Sequence, residues 1–243
     1  MASASTAGRM TIAKRLLDST IGLKIIMAVT GLMLVGFVVQ HMVANLQIFL
    51  PVGEDGLHPL NRYAHALKSL GGLLWVARLG LLGGFVLHIW SAIRLKSMND
   101  AARPVNYDGG KTNIQAGKPS YMMTLSGMVI LAFVGYHLAH FTLGLVDVEA
   151  FKNSVTVNGI VYHDVYKMTV AGFSQPLVAG LYIVANVLLG LHLHHAASSM
   201  FQTLGWRTGG YQELVDKIGP TIAIVVIAGN VAMPLAVLLG IIQ

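Results

Sequence analysis

The sequence predicts an all-α integral membrane protein with five transmembrane helices. Apolar residues make up 55% of the 243 residues and charged residues only 11%, a composition outside the range of soluble domains. A helix needs about 20 mainly apolar residues to cross the hydrocarbon layer, and five stretches reach that length. Because a helix satisfies its own backbone hydrogen bonds in lipid, we expect each stretch to be a spanning helix.

The predicted helices are separated by polar connections that are rich in glycine or contain proline. They cover residues 21–50, 70–95, 121–146, 174–204 and 218–242. We expect helices one to four to form a bundle, and residues 1–243 to be a single membrane domain without a soluble catalytic domain. The polar N-terminal stretch precedes an apolar segment that is too long for a signal-peptide core, which indicates an uncleaved cytoplasmic tail.

Lysine and arginine are distributed unevenly between the two sides that the alternating helices define. Eleven lie on the N-terminal side and four in the opposite connections, while Arg78 falls within the second helix. The positive-inside rule therefore predicts a cytoplasmic N-terminus and an external C-terminus. Since topology accounts for the net charge of +6, we expect no nucleic-acid partner. The eleven are Arg9, Lys14, Arg15, Lys24, Arg94, Lys96, Arg103, Lys111, Lys118, Arg207 and Lys217.

Cysteine is absent from the chain. Iron–sulfur ligation, disulfides and the thioether attachment of haem all require cysteine. Any metal cofactor of this chain must therefore be held by histidine or carboxylate side chains.

Seven of the ten histidines lie within the predicted spans, where ionisable side chains are costly and indicate function. At about 1.5 Å of rise per residue, His41 and His137 lie in the outer half of helices that run outward. His88 and His192 lie in the inner half of helices that run inward. The other three histidines within the predicted spans are His140, His194 and His195.

These depths divide the four histidines into two layers with two imidazoles each. Two imidazoles that face each other from different helices fill both axial positions of a haem iron and leave no open site for oxygen chemistry. The sequence therefore predicts two stacked haems that carry electrons across the membrane. Glycines on the same helices would admit a flat ring, although small residues also serve ordinary helix packing. Apart from the histidine placement, no internal repeat is evident.

Four segments, in this order and spacing, resemble the single-chain, five-helix, two-haem cytochrome b subunits of succinate:quinone oxidoreductases. They are "LVGFVVQHMVANLQ" around His41, "FVLHIWSAIRL" around His88, "FVGYHLAHFTLG" around His137 and "LHLHHAASSMFQTLGW" from His192 onward. The resemblance covers nearly the whole chain. It implies that His41 and His137 ligate the iron of an outer haem b, and that His88 and His192 ligate the iron of an inner haem b.

The resemblance also implies a function and partners. Such subunits transfer electrons between membrane quinone, usually menaquinone, and a cytoplasmic succinate dehydrogenase or fumarate reductase. The partners would be a flavoprotein subunit with FAD and an iron–sulfur subunit, and the location would be the bacterial cytoplasmic (inner) membrane. The chain would thus be the membrane subunit of an enzyme complex, without dicarboxylate chemistry of its own. The expected docking residues are Arg15, Arg94, Lys96, Arg103 and Arg207.

Other polar residues are candidates for supporting roles. Arg78 lies near the depth of the outer haem and either pairs with haem propionates or extends to the outer interface. His140 is one turn beyond His137 and is an alternative ligand, while His195 is placed to reach a propionate or a partner. Candidates for a quinone site are Glu54, His58, His65 and Lys68, and polar residues that could orient a ligand, without an assigned role, are Gln40, Asn45 and Ser126.

Three alternative functions share some of these features. A cytochrome b anchor of another dehydrogenase, such as a hydrogenase or formate dehydrogenase, would differ mainly in its soluble partners. A membrane di-iron oxygenase needs about eight histidines gathered on one face, whereas here the pairs divide between two leaflets. A transporter would need acidic residues inside the membrane, and no Asp or Glu lies deep in a predicted span.

Overall fold

The computed structural model describes residues 17–102 and 122–243 of the chain. Within these ranges the structure is mainly helical, and five helices are long and apolar enough to cross a membrane. The expected all-α, multi-pass membrane fold is confirmed. The predicted tail (residues 1–16) and the predicted helix start at Tyr121 lie outside the described residues, as do Arg9, Lys14, Arg15, Arg103, Lys111 and Lys118.

Five long helices alternate with shorter elements. The long helices are α1 (Thr20–Asn45), α3 (Gly72–Ala101), α4 (Met123–His137), α7 (Pro176–Thr203) and α8 (Gln212–Leu238). The short helices are α2 (Pro59–Ser69), α5 (Val148–Phe151) and α6 (Val165–Phe173), and the strands are β1 (Ser154–Val157) and β2 (Ile160–His163). A 3₁₀ turn follows α1 at Leu46–Phe49, a π turn extends α4 at Leu138–Thr142, and a 3₁₀ turn precedes α8 at Gly209–Tyr211.

Two helices continue into polar sequence beyond their predicted bounds. Helix α3 ends at Ala101 instead of Leu95, and Lys96 bonds Asp100 at 2.7 Å one turn further along its added segment. Helix α8 begins at Gln212 instead of residue 218, with an ion pair of the same spacing in its first turns. Pairs four residues apart stabilise exposed helical turns, and hydropathy alone does not register them.

Two helices end earlier than predicted because glycine reverses the chain. Gly144 has a φ of +65° just after the π turn. The helical chain therefore ends at Thr142, four residues before the predicted end at Val146. Gly240 has a φ of +70° after α8, and the amide of Ile241 returns to the carbonyl of Ala236 at 2.9 Å. This is the usual way in which glycine closes a helix C-terminus.

The two connections that are predicted to be external pack together into one layer, which we call the outer cap (residues 50–71 and 143–175). It contains α2, α5, α6 and a hairpin of β1 and β2, whose turn uses Asn158 and Gly159 with φ of 52° and 77°. Asn61 of α2 joins the two connections, because it donates to Asp164 at 2.9 Å and accepts from the amide of Tyr166 at 2.9 Å.

Helix α7 is at the centre of the bundle. It packs against α8, α4 and α1, while α3 packs against α1. Glycines of α8 allow it to approach both α7 and α1 closely, since a β-carbon at Gly219 would lie 2.5 Å from the His194 carbonyl oxygen and one at Gly229 would strike Met42. Much of α3 is exposed, in contrast to α7 and α8. Its apolar side chains therefore require lipid or another apolar neighbour.

Candidate functional site

Helices α1 and α4 bring His41 and His137 close together, with their ring planes nearly perpendicular. Their ring centroids are 5.8 Å apart with an interplanar angle of 87°. An aromatic ring stands one turn before each histidine: Phe37 stacks on His41 at 5.4 Å, and Phe133 lies 6.0 Å from His137. We call this pair the outer layer.

The geometry of the outer layer suits two nitrogen ligands on one metal ion. Imidazole nitrogens bind a metal at about 2 Å, so two rings on opposite sides of one iron have centroids roughly 6 Å apart. Open space borders both helices here, since a β-carbon at Gly36 or Gly135 would meet no atom within 4 Å. The donor set and the small residues beside it fit a bis-imidazole haem.

A second pair, the inner layer, is formed by His88 of α3 and His192 of α7. Each imidazole lies beside a helix that carries an outer-layer histidine, His88 beside α1 and His192 beside α4. A hydroxyl oxygen meets the Nδ1 atom of each ring: Thr30 Oγ1 lies 3.3 Å from His88, and Ser126 Oγ lies 3.1 Å from His192. With Nδ1 engaged in this way, Nε2 is the atom that remains for a metal.

The distance between the two layers follows from the helices that contribute to both. Thr30 and His41 are eleven residues apart on α1, and so are Ser126 and His137 on α4. At about 1.5 Å per residue, the layers are roughly 16 Å apart. Eleven residues are close to three helical turns, so the two side chains of each pair lie on the same face.

His140 occupies a different environment from His137. The π turn directs it into protein, where it is 3% exposed and stacks on Phe141 at 4.0 Å. Its Nδ1 lies 3.2 Å from the hydroxyl of Tyr182, and its other edge lies against Gly172 of α6. Protein atoms thus occupy both edges of the ring, which favours His137 over His140 as the metal ligand.

The remaining histidines of α7 make contacts within or beside their own helix. His195 Nε2 lies 3.1 Å from Ser199 Oγ, one turn along. The Nδ1 atom of His194 is buried and has no hydrogen-bond partner among the described residues. Neither has a hydroxyl partner on another helix among the described residues, as His192 has in Ser126.

Arg78 lies on the exposed face of α3, one turn from Trp75, and its guanidinium carbon is 5.1 Å from that ring. A tryptophan and an arginine near one end of a spanning helix are typical of the membrane interface. This contact supports the interfacial alternative for Arg78, and its role as a propionate partner stays a prediction.

The four quinone-site candidates lie in the outer cap, on different parts of it. His58 is 6% exposed, caps α2 by accepting the amide of Leu60 at 3.1 Å, and stacks on Tyr166 at 4.1 Å. His65 is exposed beside Tyr162, with ring centroids 4.7 Å apart, and Glu54 and Lys68 are also exposed. Burial lowers the pKa of His58. These contacts give His58 a structural role, and the quinone site itself stays a prediction.

Sequence reasoning missed Thr30 and Tyr182 and left Ser126 without a role. Tyr182 of α7 places its hydroxyl 3.4 Å from His137 Nδ1 and 3.2 Å from His140 Nδ1, so it links the two rings. A signal for Thr30 and Ser126 was present, because each precedes a glycine and stands eleven residues before an outer-layer histidine. The other two polar candidates act locally: Gln40 donates to Tyr63, and Asn45 donates to the His41 carbonyl.

The described residues include all ten histidines, and among them no three metal-binding side chains converge on one point. Di-iron oxygenases and structural zinc sites need such convergence, whereas haem ligation needs only two facing imidazoles. Scans of the chain against protein-family models, curated proteins and solved structures returned no match.

Proposed function

We propose that this chain is a two-haem cytochrome b membrane anchor that transfers electrons between a cytoplasmic dehydrogenase and membrane quinone. The observation that carries the proposal is the pairing of His41 with His137, together with an inner layer in which His88 and His192 are held alike by hydroxyl groups. The outer layer has ring centroids 5.8 Å apart, and the inner layer has both Nδ1 atoms at hydroxyl groups. Neutral imidazole pairs in an apolar bundle are suited to a low-spin, six-coordinate haem b.

Each residue of the two layers has a definite task in this proposal. His41 and His137 would hold the outer haem iron, and His88 and His192 the inner one. When bound, the haems supply one-electron redox chemistry. The chain itself holds the imidazoles: Phe37 stacks on His41, and hydroxyl groups meet the Nδ1 atoms of His88 and His192. The two layers are roughly 16 Å apart.

The soluble partners of the proposal follow from what the chain lacks. Without cysteine it cannot hold iron–sulfur clusters, so these clusters and FAD would belong to partner subunits on the cytoplasmic side. The resemblance makes succinate or fumarate the substrate of that complex in a bacterial inner membrane. Among the proposed docking residues, Lys96 pairs with Asp100 and Arg207 with Asp216, while Arg94 is exposed. Of the docking residues that the structure describes, Arg94 is therefore the best one to test.

The proposed quinone site lies near the outer cap, with menaquinone as the expected quinone. Quinone reduction takes up two electrons and two protons, so the site must join a haem edge to protonatable groups. Glu54, His65 and Lys68 are exposed there, and His58 is engaged as a helix cap. The exposed three are thus better placed than His58 to exchange protons with water.

The experiment that tests this function is a reduced-minus-oxidised spectrum with haem quantification on the detergent-purified protein. We expect two b-type haems per chain that are low-spin and do not react with carbon monoxide. Absence of haem from chains expressed with ample haem supply would overturn the proposal. Copurification of a hydrogenase or a formate dehydrogenase would keep the cytochrome and replace the succinate partner.

Single histidine variants assign each haem to its layer. His137→Ala should lose the outer haem and keep the inner one, and His192→Ala should do the reverse, because each removes one of the two nitrogens that would hold that iron. His194→Ala is the matched control, since it makes the same change two residues from His192 on the same helix. Two haems retained in His192→Ala, or one lost in His194→Ala, would contradict the assignment.

A further inference from the structure

Two hydroxyl groups in the bundle interior meet the inner-layer histidines in the same way. Thr30 is 8% exposed and Ser126 is 2% exposed, and each lies on the helix that also carries an outer-layer histidine. Their oxygens lie 3.3 Å and 3.1 Å from the Nδ1 atoms of His88 and His192. Buried hydroxyls require partners, and each of these has two kinds: a carbonyl oxygen of its own helix and a histidine ring nitrogen.

The position of the Thr30 proton determines the tautomer of His88. The hydroxyl lies 2.7 Å from the carbonyl oxygen of Ile26, one turn back, and this short contact takes its only proton. The oxygen therefore faces His88 Nδ1 as an acceptor, and Nδ1 must carry the ring proton. The lone pair of the neutral imidazole is then on Nε2.

Ser126 determines the tautomer of His192 in the same way. The serine hydroxyl lies 2.8 Å from the carbonyl oxygen of Met122, so it donates there and accepts from His192 Nδ1. Both inner-layer rings are thus held in one tautomer, with Nε2 free. A ligating histidine usually donates its other N–H to such an acceptor, which sets ring orientation and raises ligand basicity.

A glycine follows each hydroxyl and accommodates the edge of the ring. A β-carbon at Gly31 would lie 3.4 Å from Cε1 of His88, and one at Gly127 would lie 3.7 Å from Cε1 of His192. The dipeptides Thr30-Gly31 and Ser126-Gly127 therefore form equivalent cradles on α1 and α4. The same arrangement occurs twice, with the same spacing of eleven residues to an outer-layer histidine.

We propose that Thr30 and Ser126 are positioning residues of the inner layer, whose hydroxyl oxygens accept the Nδ1 protons of His88 and His192 and hold both Nε2 atoms ready for one haem iron. This inference rests on the proposed function and adds the groups that orient its inner ligands. Helices α1 and α4 thus each contribute to both layers. Each supplies a ligand to the outer layer and the hydrogen-bond partner of a ligand to the inner layer.

The test compares variants that lose the hydroxyl with variants that keep it. Thr30→Val and Ser126→Ala remove the acceptor, whereas Thr30→Ser and Ser126→Thr retain it. We expect the first two to bind the inner haem about tenfold more weakly or worse, and to raise its midpoint potential because the ligands become less basic. The retaining variants should behave as the unaltered protein does. Outer-haem content checks that each variant folds.

The potential is measured by optical redox titration, both in the unaltered protein and in a His137→Ala background that leaves the inner haem alone. Normal inner-haem content and potential in Thr30→Val and Ser126→Ala would overturn this inference and leave the proposed function intact. Loss of the inner haem in Thr30→Ser to the same extent as in Thr30→Val would also overturn it. Absence of both haems from the unaltered protein would overturn the proposed function and this inference together.

Discussion

At the scale of single residues, polar side chains inside the bundle decide how the histidines are oriented. Tyr182 is the clearest case beyond the inner layer, because its hydroxyl lies between His137 and His140 and its ring is 4% exposed. A hydroxyl has one proton and can both donate and accept, so it can serve the two rings together. It therefore couples the outer layer to the π turn.

Tyr182→Phe should destabilise the protein by about 1–3 kcal/mol, because it leaves a buried His140 nitrogen without its partner. Thermal unfolding in detergent should show a lower midpoint, and the outer haem should be lost before the inner one. Tyr211→Phe makes the same change on a side chain that is 71% exposed and should leave unfolding unchanged. An unaltered midpoint for Tyr182→Phe would show that the hydroxyl contributes nothing measurable.

At the scale of elements, short structures in the outer cap hold the ends of the long helices. His58 begins α2 by capping its first turn and packs against Tyr166 of α6. Burial lowers its pKa from the ordinary value of 6.5, although Asp164 and nearby backbone carbonyls act in the opposite direction. The folded chain therefore binds this proton less readily than the unfolded chain.

The free energy of unfolding of the outer cap should decrease as pH falls through and below about 6.5, since protonation of His58 then favours the unfolded state. Above the unfolded pKa this contribution is fully present. His58→Asn retains an N-cap acceptor but cannot titrate in this range, so its unfolding should depend less on pH. The test is the thermal unfolding midpoint of the unaltered protein and of His58→Asn, measured from pH 8 to pH 5. An equal change of midpoint with pH in the two proteins would contradict this prediction.

At the scale of the whole molecule, α7 and α8 form the tightest interface, and glycine makes it possible. A β-carbon at Gly219 would lie 2.5 Å from the backbone oxygen of His194, which cannot move aside alone, whereas one at Gly180 would meet nothing within 4 Å. Helix α8 carries none of the paired histidines. Its task is to support the helix that carries His192.

Gly219→Ala should push α8 away from α7 and destabilise the bundle by about 1–3 kcal/mol, as overpacking usually does. Gly180→Ala adds the same methyl group to open space within α7 and should be neutral or slightly stabilising. Unfolding midpoints of the two variants provide the comparison. Equal midpoints would show that the α7–α8 contact adapts without cost.

Much of the fold could be predicted because hydropathy and length are properties of contiguous sequence. Five apolar stretches of sufficient length correspond to five helices, with errors confined to their ends. Those errors have local causes: ion pairs prolong α3 and α8 into water, and glycines with positive φ end α4 and α8 early. The hairpin was not predicted, although the Asn158-Gly159 dipeptide of its turn is a hairpin signal.

What the sequence by itself determined is the number of long helices, their order and the position of each histidine along them, because rise per residue converts residue number into distance along a helix. Tertiary structure alone decided which side chains meet. Thr30 and His88 are 58 residues apart, and Ser126 and His192 are 66 apart, so only the packing of α1 on α3 and of α4 on α7 makes them partners. Hydrogen bonds act over about 3 Å, a distance that no one-dimensional pattern specifies between separate helices.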